Sequence, residues 1–409
     1  MAPANPTGRR ALRKADLRES NQRLILNLIR QKPNLCRADL ANMTRLPASS
    51  VSFIVKRLIR EGWLVETRNG SARLGRPPIG LRLRPGAIHV VGADLSLSRT
   101  RVVVADAYGQ ILSERAVAWH PDPDLFLGRV RSAIAGMVRT YSSQGLLGVG
   151  VAIPGTIERT SGHVVAAENL GWFDLPVGKI LSEGVPASFF FDNDAKLAAF
   201  AELWFCRPDR RPPQNFVFVT THGGIGTGVV VDGHLLRGSH DQASEFGHTI
   251  LFPDGMPCPC GNRGCWEQYA SDRALARLYA LREPDGAPAG AEQIVARARA
   301  GDAAAVAALR EAALYVGLGF VNLQQAFSPE VIIVGNYLAS AWDLIGEVVW
   351  KVMRERIAAR YLSHLRIVPA RHAEDSPLMG ALGLVLAQFF TPPEASRVGG
   401  GEVRAVGGA

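Results

Sequence analysis

Apolar residues recur at helical spacing almost from the start of the chain. Over residues 17–31, Leu24, Ile25, Leu28 and Ile29 fall on one stripe, and Pro33 ends that helix. A short helix over 37–43 turns Leu40 and Met43 inward. After the Thr-Arg-Leu-Pro turn a third helix runs from Ala48 until Gly62 stops it. Val51, Ile54, Val55 and Leu58 make its buried stripe, while Ser49, Ser50, Ser52, Lys56 and Arg57 face outward. Residues 63–67 and 79–84 then read as two strands joined by the loop R-N-G-S-A-R-L-G-R-P-P. Two short helices around a tight turn, the second opening on small polar residues, are the plan of a helix-turn-helix, and the strand pair gives it a wing. Small hydroxyl side chains let a helix sit deep in a major groove. Lys56 and Arg57 suit phosphates, and Arg73 and Arg76 of the wing suit a narrow, negative minor groove.

From about residue 88 the pattern becomes α/β. A hairpin turns at Tyr108-Gly109, a striped helix follows over 123–141, and L-L-G-V-G-V-A-I-P-G returns as a buried strand of parallel type. F-F-F-D-N-D-A-K runs from strand into helix at Asn193 and Asp194, where either residue type suits an N-cap. Another strand, glycine turn and strand span 215–237. Residues 271–327 are Ala-rich and helical, and 375–390 form an apolar stretch. No apolar run reaches the roughly 18 residues of a spanning helix, and no apolar segment follows the basic N-terminus as in a secretory signal.

Charge separates the two regions. Residues 1–85 hold 18 Lys/Arg against 5 Asp/Glu, a net of +13; the remainder holds 28 against 32, a net of −4. A basic head on a mildly acidic body points to a polyanion partner, double-stranded DNA, for the head alone.

Three of the five cysteines, Cys258, Cys260 and Cys265, lie within eight residues, and His248 lies ten positions before the first. Three thiolates and an imidazole suit tetrahedral Zn2+ in a closed, structural site, with Pro259, Gly261 and Gly264 supplying the turns. Cys258 and Cys260 are too close in sequence for easy mutual bridging. Free thiols and zinc fit a reduced cytoplasm.

E-F-G-H followed by C-P-C-G-N-R-G-C-W-E resembles the signature of the ROK family (repressor, open reading frame, kinase). The resemblance extends from about Leu17 to about Phe390. It implies a hexokinase/actin-like (ribonuclease H-like) α/β body of two lobes. The expected organisation is a flexible basic arm at 1–15, a winged helix-turn-helix at 16–85, a sugar-binding body at 88–390 and a disordered tail at 391–409. The lobes would span about 88–195 plus the C-terminal helix, and about 196–375. The resemblance further implies that His248 and the three cysteines bind zinc. It assigns Asn169, Asn193, Asp194, Glu245, His248 and Glu267 to a monosaccharide, with Asp194 the general base if the chain is a kinase.

The family's kinases also carry phosphate loops, and this chain departs from them. Ser96 and Leu97 replace both glycines of the first loop. His222 and Gly223 stand where Gly and Thr are usual in the second, and Asn336 and Tyr337 follow Gly335 where room for adenosine is expected. Leu17-Arg18…Asn21 and Gly75-Arg76-Pro77-Pro78 match the family's repressor branch. The expectation is a sugar-responsive repressor, a homodimer or tetramer in the cytoplasm, with no membrane and no kinase activity; an active sugar kinase is the alternative.

Overall fold

The computed structural model describes residues 14–68, 79–97, 99–206, 213–239, 241–284 and 286–391. Among the described residues two compact units emerge, one running to His89 and including those from Leu386 on, the other Val90–Val385. The expected tail beyond Thr391, the wing arginines Arg73 and Arg76, and most of the expected N-terminal arm lie outside the described residues.

The first unit contains α1 (Lys14–Gln31), α2 (Arg37–Thr44), α3 (Ala48–Arg60) and the antiparallel pair β1 (Leu64–Arg68) and β2 (Ile79–Leu83). Asp39 accepts a hydrogen bond from the Cys36 backbone N–H at 2.8 Å, closing the start of α2. Arg45 adopts the left-handed conformation (φ 57°) that turns the chain toward α3. Ile25, Leu26, Ile29, Leu40, Val51, Val55 and Leu58 form the core with Leu64, Leu81 and Leu83. Three expectations are corrected here. Leu24 and Leu28 are only half-buried, Met43 is exposed and Ile54 is half-buried. The α1 stripe is rotated because the helix also meets residues distant in sequence: Arg23 Nη1 donates to the Gln388 carbonyl at 2.6 Å, and the Arg30 guanidinium lies over the Phe390 ring. Local periodicity does not show that second wall.

The second unit begins with β3 (His89–Asp94), β4 (Arg101–Asp106), β5 (Ile111–Ala116), α4 (Pro123–Tyr141) and β6 (Leu146–Ile153). Next come β7 (Thr156–Glu158), β8 (His163–Ala167), β9 (Trp172–Leu175), α5 (Val177–Ser182), β10 (Phe189–Asn193) and α6 (Asp194–Trp204). A five-stranded sheet in the order β10-β6-β3-β4-β5 carries a small sheet, β7-β8-β9, beside it. The β6–β10 pair is parallel and β4–β5 antiparallel.

The second half comprises β11 (Phe216–Thr220), β12 (Gly226–Val231), β13 (His234–Leu235), α7 (Glu267–Ala270), α8 (Asp272–Ala280), α9 (Ala291–Arg299) and α10 (Ala303–Phe327). It continues with β14 (Val331–Val334), α11 (Asn336–Ser340), α12 (Trp342–Arg356), α13 (Ala359–Leu362), β15 (Arg366–Pro369) and the first part of α14 (Ser376–Phe390), whose residues from Leu386 on belong to the first unit. Its sheet runs β13-β12-β11-β14-β15. The two five-stranded sheets share a hairpin-led design, and α6 packs against strands of both. Small residues permit this: a Cβ on Gly228 of β12 would meet the Ala199 Cβ at 2.5 Å, and one on Gly380 of α14 would meet the Leu197 carbonyl oxygen at 2.0 Å.

The reading that no stretch could span a membrane needs one correction. Helix α10 is long and apolar enough by composition, despite Arg310 and Glu311. Half of its apolar stretch is buried, however, and it packs against α8, α9 and α12, as a core helix does.

Candidate functional site

Asn169, Asn193, Asp194, Glu245, His248 and Glu267 come from four separate segments, and all six line one cavity of about 170 Å³. Asn193 ends β10 and caps α6: its Oδ1 accepts from the Lys196 N–H at 3.0 Å and its Nδ2 donates to the Gly155 carbonyl at 2.9 Å. The N-cap reading and the pocket reading therefore both describe it. Asp194 opens α6 at the same junction. Burial raises its carboxyl to about 6, with the Glu245 charge adding to the rise. Asp94, at the end of β3, is raised to about 7 by burial first and then by the Asp194 charge.

Asn169 sits in the turn between β8 and β9. Arg273, at the start of α8, donates to its Oδ1 at 2.6 Å, which leaves the Asn169 Nδ2 facing Gly224. A Cβ on Gly224 would lie 2.6 Å from Glu267 Oε2 and 3.0 Å from Asn169 Nδ2, so glycine is what admits both groups. Arg273 was not singled out from the sequence. It follows the cysteine segment in S-D-R, and nothing local distinguishes it from a solvated helix residue.

A buried ionic network braces Glu245 and was also missed. Arg237 Nη2 pairs with Asp192 Oδ2 at 2.7 Å, Lys196 Nζ donates to the Asp241 carbonyl, and Lys196 lies 3.9 Å from Glu245 Oε1. Burial alone would raise Asp192, but the paired Arg237 outweighs it and holds the carboxyl below its usual range. Burial raises Glu245, and the Lys196 charge opposes that rise. Sequence periodicity places Lys196 on a helix but does not reveal a charge at 2 % exposure.

His248 belongs to a second constellation. One ligand atom from each of His248, Cys258, Cys260 and Cys265 lies within 4.8 Å of the others. The Cys258 Sγ–His248 Nδ1 and Cys260 Sγ–Cys265 Sγ separations are 3.7 and 3.8 Å. A tetrahedral ion with Zn–S near 2.3 Å has S···S edges of about 3.8 Å, so the spacing and the soft donor set fit a metal. Burial pushes both the Cys258 and Cys265 thiols up, the latter to about 11, so thiolates near neutral pH would need a bound cation. Gly264 sustains the turn at φ 70°; a Cβ there would lie 1.6 Å from the Phe252 carbonyl oxygen. Glu267 Oε1 lies 2.9 Å from Cys258 Sγ, so Glu267 and His248 each border both the cysteine cluster and the cavity.

A larger cleft of about 440 Å³ adjoins the cavity and shares Asp194, Ser96, Thr220 and His222 with it. Several polar groups in and beside it are bonded to other protein groups. The Gly223 N–H donates to both oxygens of Asp272 at 3.1 Å, and Asn336 Oδ1 accepts from the Thr220 hydroxyl and the Thr221 N–H. Arg99 and Arg101 are paired with Glu374 and Asp375. Tyr337 is among the residues that line this cleft. Its ring is buried and its hydroxyl donates to the Ala270 carbonyl at 2.6 Å, leaving the cleft open.

On α3, Ser49, Lys56 and Arg57 are exposed, whereas Ser50 and Ser52 are half-buried. Arg57 Nε donates to Glu61 at 2.6 Å. The most exposed large apolar residue among the described residues of the head, Phe53, lies among them and was not singled out from the sequence.

Two five-stranded sheets of this connectivity flanking a polar cavity, with a histidine and cysteine cluster at its edge and a helix-turn-helix earlier in the chain, define a two-lobed α/β body preceded by a DNA-binding-type module. Residues 90–388 match the ROK family and residues 18–65 match the winged helix-turn-helix DNA-binding family. The chain belongs to the ROK family. It is similar to the xylose repressor of Caldicellulosiruptor bescii, with 27% identity over 394 residues covering 92% of this chain and 98% of that protein. It is also similar to the glucokinase of Streptomyces coelicolor, at 30% identity over 311 residues and 72% and 96% coverage. Among solved structures, a ROK family transcriptional regulator described as a homolog of the E. coli MLC protein superposes with a TM-score of 0.78 at 25% identity, covering 94% of this chain and 99% of that one.

Proposed function

We propose that this chain is a sugar-responsive transcription repressor: the head binds double-stranded operator DNA and the body takes a monosaccharide effector. The observation that carries the proposal is the convergence of six amide, carboxylate and imidazole side chains on one small cavity, beside a cleft whose phosphate-binding positions are held by protein groups. Each sugar hydroxyl both donates and accepts, and this mixture of side chains answers both needs. Asp194 accepts from a hydroxyl rather than serving as a base. The cleft is lined by Asp194, Asp272, Glu292 and Glu374 against Arg99 and Arg101, a balance that does not attract polyphosphate.

His248, Cys258, Cys260 and Cys265 would hold zinc, which when bound supplies a rigid, closed cross-link. Through His248 and Glu267 that cross-link fixes one wall of the cavity. The mechanism is linkage. Sugar favours the arrangement of the body to which it binds more tightly, and operator affinity shifts by the same coupling energy. A cytoplasmic homodimer or tetramer would place paired heads on a palindromic operator. Xylose heads the list of effectors to try, because it is named in the repressor relatives.

A second reading, an active sugar kinase with an added head, is favoured by the retained Asp194 and the open 440 Å³ cleft. Two assays on the zinc-loaded full chain separate the readings: calorimetric titration with pentoses, hexoses and amino sugars, and coupled ATP turnover with the same panel. The expected outcome is saturable binding of one monosaccharide with no turnover. Sugar-dependent ATP consumption would assign the kinase.

A further inference from the structure

The solvent face of α3 is polar except at its centre. Val51, Val55 and Leu58 are fully buried. At about 100° per residue, Phe53 lies some 200° from both Val51 and Val55, diametrically opposite the buried stripe. It is 69% exposed, flanked by the exposed Ser49, Lys56 and Arg57. Scattered surface apolar residues are ordinary. This one occupies the midpoint of the outward face of the second helix of a helix-turn-helix, in a head whose net charge is +13.

A basic face complements a duplex backbone, and the major groove offers one apolar group at its floor, the C5-methyl of thymine. We propose that Phe53 is a base-reading residue whose ring packs against thymine methyl groups in the major groove, while Ser49, Lys56 and Arg57 hold the helix to the flanking phosphates. This rests on the DNA-binding reading of the head and adds a sequence preference to it. Serines and phosphate-binding cations position a helix without distinguishing thymine from cytosine. Phe53 supplies the discrimination.

The test uses the full-length, zinc-loaded protein. Duplexes are selected from a random library at fixed salt, and each thymine of the selected site is then replaced singly by uracil, which lacks only the methyl. The expected result is that one or two thymines per half-site lose about three- to tenfold in affinity on replacement, as burial of a methyl group dictates. Phe53→Ala should bind the thymine and uracil forms equally and retain both its affinity for a random duplex and its salt dependence. Phe53→Leu should keep part of the discrimination. Because the side chain is exposed, unchanged thermal unfolding of Phe53→Ala is expected.

A flat uracil scan of the wild type, or undiminished discrimination in Phe53→Ala, overturns the assignment. So does a Phe53→Ala variant that changes oligomeric state in sedimentation yet still senses uracil, since the ring would then face a second copy of the chain. Recovery of no duplex at all is a different failure. It removes the DNA-binding reading and this inference with it.

Discussion

Individual side chains in the body owe their properties mainly to burial. Asp94 ends β3 and Asp194 follows β10, two strands of one sheet with β6 between them, and burial raises the two carboxyls to about 7 and about 6. The folded state therefore binds protons more tightly than the unfolded chain between about pH 4 and 7, and stability falls as pH rises through that window. Around Asp94 stand Asp194, Arg101, Asp375 and the Ser96 N–H, which donates to Asp94 Oδ1 at 3.2 Å. Asp94→Asn keeps that acceptor and removes the charge. Denaturant titrations should find the variant equal to wild type near pH 4 and more stable at pH 8 by on the order of 2–4 kcal/mol; equal stabilities at pH 8 would show that Asp94 is not held in the neutral form. At this scale the sequence was informative only where residue type decides the chemistry. Thiols, the imidazole and the carboxylates could be named in advance because few other side chains serve a metal or a sugar. Arg273, Lys196 and Phe53 could not, because Arg, Lys and Phe on a helix have many ordinary uses, and only exposure and partners separate them.

Elements were legible to the extent that one face decides them. The strand-to-helix junction at Asn193 and Asp194, the Gly109 turn and the third helix of the head follow from local pattern and capping chemistry. The α1 stripe was misjudged because residues near 390 share its burial, a contact more than 350 positions away. The three-stranded sheet β7-β8-β9 was also unforeseen: its strands are three to five residues long, too short for alternation to register. The cysteine segment has little regular structure, and the isolated bridges Ile250–Cys265 and Pro257–Arg263 supplement its turns. Its order should depend on the metal. Cys258→Ser is expected to lose bound zinc, measured by atomic absorption, and to weaken monosaccharide binding at least tenfold, since Glu267 and His248 lose their support. Removal of zinc from the wild type by a chelator should do the same. Full sugar affinity in a zinc-free protein would separate the two sites.

For the whole molecule, charge asymmetry marked two functional regions before any geometry was known. The structure divides the chain close to the same place, at His89. The sequence could not show how four distant segments close on one cavity, nor that an open cleft persists beside it with its glycine turn already holding Asp272. These two facts turn a resemblance shared by kinases and repressors into a specific account: the body senses sugar and the head reports it to DNA. Fluorescence anisotropy of the zinc-loaded full chain on a selected operator duplex, titrated with pentoses, hexoses and amino sugars at fixed salt, tests that account most directly. One monosaccharide is expected to shift operator affinity by at least tenfold, and Asn169→Ala should abolish the shift while leaving sugar-free DNA binding intact. Tight DNA binding that no sugar on the panel moves would contradict it.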